Sequence, residues 1–317
     1  MESNPAIEKK AFKDFDAYTE SVENADIRFT LTRLETPLWI KTSVSLPGDI
    51  HIQVAAEGSG DIAQGCTPGD GYHLLLVTDR HQFTANGYPL PSGSALFLPP
   101  ASEFLLPFLE PHQWMTVFVP TATMESVVLG GGNAHPCGQG TRAIRDREDN
   151  TRRLARLTER FIQRATAAPK WVMGTQSVTR FRREFLDELK GICSPALPVP
   201  APERGRATKI NRAVIANVVD YIESSHDAVK TIRELAQVTG LPERSLRAGF
   251  MRYVGVSPKR YLQLCLLNRA RKRLMESEPG EVTVTQVATE LSFWDLGRFA
   301  MRYRNAFAEL PSDTLRG

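Results

Sequence analysis

Two stretches about fifty residues apart carry the same helix signals in the same order, and such a repeat constrains the fold more than any single motif. The first, "TIRELAQVTGLPERSLRAGFMRYVGVSP", starts at Thr231 with Glu234 three residues on, the reciprocal capping pair that opens a helix. The second starts at Thr283 with Gln286 in the same relation. Leu235-Ala236 in the first copy stand where Val287-Ala288 stand in the second. Gly240 supplies a turn, and Pro242 suits the first turn of the next helix, where its missing donor costs nothing. That helix has Leu246, Phe250 and Tyr253 on one face, and its counterpart has Phe299, Tyr303 and Phe307. Phe250 aligns with Tyr303 and "GVSP" with "AELP", the later copy having one extra residue in its turn. Each copy therefore predicts two short amphipathic helices meeting at a tight turn.

Between the copies, "PKRYLQLCLLNRARKRLM" (258–275) predicts one long helix, capped by Ser257 and stopped by "SEPG". A helix of this length would hold two helix-turn-helix units at a fixed separation, so that their second helices meet successive major grooves about 34 Å apart. Arg269, Arg271, Lys272 and Arg273 crowd its last turns, where they either complement the helix dipole as a solvated face or meet phosphates. From Gly205 onward the chain carries 18 Lys and Arg against 12 Asp and Glu, whereas residues 1–204 carry 21 against 24. The positive field belongs to the repeat half, the distribution expected of a DNA-binding surface.

The two copies, the linking helix and the ending "GRFAMRYRNAFAELPSDTLR" resemble the AraC/XylS family of bacterial transcription regulators over roughly residues 207–316. The closing stretch is most similar to the branch typified by XylS, whose members control degradation of aromatic acids. The resemblance implies that the second helix of each copy reads bases. By position these residues are Arg244, Arg247 and Ala248, with Ser245 and Arg252 beside them, and Leu296, Gly297, Ala300 and Met301, with Arg298 and Arg302. The copies are unequal. Arg244 and Arg247 lie three apart and can each give guanine a bidentate pair, worth about 1–3 kcal/mol of discrimination. Leu296 and Ala300 offer only apolar contact to thymine methyls, and Arg298 and Arg302 suit phosphates or a neighbouring base edge.

The amino-terminal half follows a different period. "IRFTLTRL", "LWIKTSVSL", "IHIQVAA", "YHLLLVT", "HQFTA", "SALFLPP" and "WMTVFVP" are short runs rich in β-branched and aromatic residues, and Asn86-Gly87 reads as a hairpin turn. They predict an antiparallel sandwich or barrel, with a cupin-like jelly roll as the candidate. The expected fold class is thus α+β multidomain: an N-terminal cupin-like antiparallel β-barrel plus helices, and a C-terminal all-α double helix-turn-helix. The resemblance implies that the barrel is a sensor and, if it extends to the effector, that the effector is a small aromatic carboxylate. Arg33, Lys41, His51, Tyr72 and His73 are the candidate anchors by type and position. Neither a metal site nor a cofactor is expected, because His51, His73, His81 and His112 form no H-x-H pair and Cys66, Cys137, Cys193 and Cys265 are scattered. "GGGN" at 130–133 follows a helix-like stretch and reads as a loop, and no catalytic motif accompanies it.

Two helices are expected next. "NTRRLARLTERFIQRA" has Leu154, Leu157, Phe161 and Ala165 on one stripe, and "SVTRFRREFLDELKG" has Val178, Phe181, Phe185 and Leu189. Leu154, Leu157, Phe161, Phe181, Phe185 and Leu189 either cover the barrel or, as the resemblance favours, form a homodimer interface. "SPALPVPAPERGRA" holds four prolines in fourteen residues and reads as a linker. The expected domains are a sensor at 1–145, a helical dimerisation segment at 146–193, the linker at 194–207 and the DNA-binding domain at 208–317. No leader and no run of 18 apolar residues appears, so a cytoplasmic location is expected, away from membranes. The functional expectation is a non-enzymatic regulator, by default an activator. Its partners would be double-stranded DNA at two adjacent major grooves per monomer, a small-molecule effector, RNA polymerase and a second copy. The alternatives are a cupin-type metal-dependent enzyme fused to a DNA-binding module, and a DNA binder that needs no effector.

Overall fold

The computed structural model describes residues 6–76, 83–90, 93–128, 141–145, 149–167, 175–193, 197–198, 211–224, 231–278 and 280–316. His81, Cys137, the "GGGN" stretch and all of the proline-rich segment except Leu197 and Pro198 lie outside these residues.

The amino-terminal half is built on one antiparallel sheet. Its strands are β1 (Ala6–Phe12), β2 (Asp26–Leu46), β3 (Ile50–Cys66), β4 (Gly71–Leu76), β7 (Ser94–Leu98), β8 (Glu103–Phe108), β9 (His112–Pro120), β10 (Arg142–Arg145) and β11 (Leu197–Pro198). β5 (Phe83–Ala85) and β6 (Tyr88–Leu90) make a separate hairpin. The sheet runs β1-β2-β3-β9-β4-β7-β10-β11, with β8 added to the second half of β3. Among the described residues β1 and β11 are not paired to each other, so the expected closed barrel is instead an open, strongly bent sheet. Three expected features of this half change or are added. "IRFTLTRL" and "LWIKTSVSL" join into the single strand β2, which absorbs Glu35–Leu38 through irregular register between Leu34 and Trp39. "IHIQVAA" continues through "EGSGDIAQGC", and "EFLLPF" is an additional strand.

β3 changes partner in mid-strand: residues 51–57 pair with β9, and residues 61–66 pair with β8. Gly58 and Gly60 permit this. A Cβ at Gly58 would stand 2.1 Å from the Thr36 carbonyl oxygen, and one at Gly60 would stand 2.3 Å from that of Leu109. The Asn86-Gly87 turn forms as expected, with φ of 51° and 76°, the pair of positive values that a two-residue hairpin of this twist requires. Leu105 N–H donates to the Asn86 side chain at 2.7 Å, tying the hairpin to β8.

The outer face of the sheet buries Val44, Ile52, Leu74, Phe97 and Val117 against two helices, α3 (Asn150–Ala167) and α4 (Thr175–Cys193). Between β9 and these lie α2 (Thr121–Thr123) and a π-turn at Met124–Val128. The inner face, with Leu31, Trp39, Ala63, Leu75, Leu98 and Trp114, closes over α1 (Phe15–Glu20). The carboxy-terminal half is all helix: α5 (Arg212–Ser224), α6 (Ile232–Thr239), α7 (Glu243–Tyr253), α8 (Pro258–Met275), α9 (Val284–Glu290), α10 (Leu296–Phe307) and α11 (Pro311–Thr314).

The two halves pack together. Arg28 pairs with Asp220 and, at 3.3 Å, with Glu223, while Arg212 pairs with Glu103 at 2.9 Å. Asn268 donates to the Leu31 carbonyl at 2.9 Å, and Ile62 and Leu105 join the core of α5, α7 and α8. No helix among the described residues is long and apolar enough to cross a membrane.

Candidate functional site

Both helix-turn-helix copies form from the signals that predict them. Thr231 caps α6 by accepting from Glu234 N–H at 3.2 Å, while its own N–H donates to the Glu234 carboxylate at 3.1 Å. Thr283 and Gln286 repeat the exchange at 2.8 and 3.2 Å for α9. The chain leaves α6 through Gly240 at φ 67°, and the corresponding turn after α9 passes through Ser292 at φ 64°. α8 serves both units. Leu262 and Cys265 pack with Phe250 and Leu235, and Leu267, Ala270 and Leu274 pack with Val287, Phe299 and Tyr303. The linking helix is therefore half of each core, which fixes the separation of the two units. Burial, aided by Glu223, pushes the Cys265 thiol up to about 12, as expected of a packing residue.

On α7, Leu246 and Phe250 face inward, fully buried, and Arg244, Arg247, Ala248 and Met251 face outward. Arg247 is steadied by Glu243 one turn back at 3.1 Å, a surface pair of small energy. Ser245 is half-buried. Arg252 departs from the expected role: its guanidinium lies 5.1 Å from the Tyr253 ring, beside Gly87 of the β5–β6 turn, and it faces the sheet domain. On α10, Asp295 caps the helix by accepting from Arg298 N–H at 3.0 Å and pairs with the Arg298 side chain at 3.2 Å. Leu296, Gly297, Arg298 and Met301 are exposed, whereas Ala300 and Arg302 are half-buried. Arg302 lies near Arg260 at the start of α8. Burial first, and Arg302 second, hold the Arg260 guanidinium below its ordinary value. Two neighbouring cations of this kind suit an anion such as a phosphate.

Trp294, 81% exposed, was not picked out by the sequence reasoning. It precedes α10, next to buried Phe293, and with Leu296 and Met301 makes an apolar edge on the outward face. Only its position between a helix stop and a helix cap hinted at exposure.

The expected effector anchors scatter. Arg33 is exposed and paired with Glu35 and Glu110, each at 2.9 Å. The buried Lys41 ammonium donates to the Ser21 carbonyl, and burial lowers its pKa. His51 contacts Ser45 Oγ at 3.1 Å, and Tyr72 packs on Phe97. Of the five, His73 alone lines the cavity of about 70 Å³ inside the sheet. Burial pulls its pKa down to about 4, against opposing contributions from the Asn24 backbone and Asp70, and keeps the ring neutral. The other polar groups of that cavity include Glu23, Glu57 and Asp61, so it presents acids where a carboxylate ligand would need a cation. The residues expected at a dimer interface are, apart from Leu157, buried within the protomer. Leu154, Phe161, Phe181, Phe185 and Leu189 are buried between α3, α4 and the sheet, with Phe161 and Phe181 stacked at 3.9 Å. Only Leu157 of that set is partly exposed, in a groove rimmed by Arg160, Arg164, Arg180 and Arg183.

Comparison with known proteins agrees with the carboxy-terminal geometry. A family model described as a helix-turn-helix domain matches residues 235–317. The chain is 34% identical over 103 residues to the "Probable thc operon regulatory protein" of Rhodococcus erythropolis, covering 32% of this chain and 31% of that one. It is 27% identical over 198 residues to the "XylDLEGF operon transcriptional activator 3" of Pseudomonas putida, covering 53% and 60%. These matches thus span about a third to three-fifths of the relatives' own lengths. Among solved structures, a probable AraC family transcriptional regulator from Rhodopseudomonas palustris is 34% identical, with a TM-score of 0.30, covering 33% of this chain and 95% of that one. Residues 235–317 of this chain thus carry a helix-turn-helix domain similar to those of AraC/XylS-type transcription regulators.

Proposed function

We propose that the whole chain is a sequence-specific DNA-binding transcription regulator, by default an activator, with a ligand-sensing sheet domain. The carrying observation is that two capped helix-turn-helix units share one core helix while both second helices keep their outward faces exposed. In this reading α7 inserts Arg244, Arg247 and Ala248 into one major groove. α10 brings Leu296, Gly297 and Met301 to the next groove, and Arg298, Arg260 and Arg302 meet phosphates. The effector class is reassigned: acids in the cavity support a cationic ligand or a hydrogen-bond donor over an aromatic carboxylate. A second copy would meet the arginine-rimmed side of α3 and α4, not the buried stripe. RNA polymerase remains the partner expected of an activator, and the cytoplasm its place of action. Relatives that act as transcription regulators support a chain that does no chemistry.

The test is binding of the purified chain to labelled duplex DNA as salt is raised from about 50 to 200 mM. Contact with 6–10 phosphates would lower affinity by about 10³–10⁵, and a flat dependence would refute the reading.

A further inference from the structure

Inside the sheet three side chains bring their donor atoms together. One carboxylate oxygen each of Glu57 and Asp61 and one ring nitrogen of His112 all lie within 4.8 Å of one another, and all three residues are buried. The partner switch of β3 creates the arrangement. Glu57 stands opposite His112 in the β3–β9 register, and Asp61 falls just beyond the Gly58–Gly60 bend.

We propose that Glu57, Asp61 and His112 bind a divalent first-row metal ion, with Asp61 and Glu57 as oxygen ligands and His112 Nε2 as the nitrogen ligand.

Four observations carry this. First, Asp61 is 1% exposed, and among the described residues no hydrogen bond from a neighbouring donor reaches either of its carboxylate oxygens. Burying a carboxylate in this way is costly unless a cation or proton meets it. Second, the residues are already oriented as outer contacts orient metal ligands. His112 Nδ1 lies 3.2 Å from the Glu110 carbonyl, so Nδ1–H donates there, and Nε2, 3.8 Å from Glu57 Oε1, is the atom turned to the carboxylates. The ring is held by stacking on Phe108 at 4.1 Å. Third, Glu57 Oε1 accepts from Tyr18 O–H and from Trp114 Nε1–H, both at 2.5 Å, while Oε2 has no donor among the described residues. Fourth, the adjoining cavity of about 70 Å³ has room for an ion's remaining waters. One imidazole with two carboxylates suits manganese, iron, cobalt or zinc. The competing occupant is a proton shared by the two acids, and burial together with Glu57 does hold the Asp61 carboxyl well above the ordinary range.

The test uses the full chain, stripped with chelator and titrated with Mn²⁺, Co²⁺ and Zn²⁺, reading bound metal per chain, the Co²⁺ absorption spectrum and the Tm. The expected result is one ion per chain, a higher Tm and a Co²⁺ spectrum that includes nitrogen ligation. Asp61→Asn and His112→Gln should each weaken binding by at least tenfold. Metal-free Asp61→Asn should melt no lower than metal-free wild type, since it removes a buried acid, and this separates lost binding from lost folding. Failure of wild type to take up any of the three ions would overturn the proposal in favour of the shared proton. So would unaltered binding by a folded Asp61→Asn. DNA binding by the stripped chain, measured in parallel, reports on the regulatory reading separately.

Discussion

The two helix-turn-helix units share a backbone plan and differ in what they offer outward. Both begin with a Thr capping box, both lean on α8, and both turn through a left-handed residue. The first puts its left-handed turn on Gly240 and two arginines, Arg244 and Arg247, on its outer face. The second strains Ser292 into the same region and shows Trp294, Leu296, Gly297 and Met301, with Arg298 folded back to its own cap Asp295. The difference teaches that folding signals and reading residues are separable within one repeat. The inner face keeps the unit folded, and the outer face is free to take hydrogen-bond readout in one copy and apolar contact in the other.

The largest effects should fall on that readout. Arg244→Ala and Arg247→Ala are each expected to lose about 1–3 kcal/mol of discrimination at one base position. Binding to a panel of single-base variants of a selected site would check this. Arg298→Ala should instead weaken all sequences alike and reduce the slope of log affinity against log salt by about one, measured by salt titration. If Arg298→Ala relaxed base preference more than Arg247→Ala did, the division of labour would be reversed. Next in size are the caps. Thr231→Ala and Thr283→Ala should each cost about 1 kcal/mol by chemical denaturation, equally in the two copies because the exchange of hydrogen bonds is the same. The turns should differ in sign: Gly240→Ala destabilises by about 1 kcal/mol, whereas Ser292→Gly is neutral or stabilises by a few tenths. Equal responses at Gly240 and Ser292 would remove the asymmetry of the turns.

How much could be read from residues alone follows from how local each signal is. The capping boxes, stripes and Asn86-Gly87 turn are set by neighbours within a few positions, and all of them form. Barrel closure depends on which distant strands pair, and residue patterns carry no such register, so the expected barrel is an open sheet. "AAEGSGD" has the composition of a turn, yet it is the middle of β3, because Gly58 and Gly60 serve close backbone approach there. Glu57 and Asp61 flank that bend, and their meeting with His112 depends on the partner switch of β3, which no local pattern records. Arg33, Lys41, His51 and Tyr72 are candidate anchors by type and position, but pairing across the bent sheet decides what reaches the cavity. The stripe of α3 and α4 was legible, but a stripe does not say whether a sheet or a second copy covers it. Here it is the sheet.

The most direct test of two unequal reading units is selection of duplexes from a random pool by the full chain, followed by footprinting of the selected site. The account predicts two protected blocks on one face of the duplex, about 34 Å apart. With Arg244→Ala/Arg247→Ala, sequence preference should flatten in one block while the other persists. A single protected block, or preference lost equally from both blocks in that variant, would contradict it.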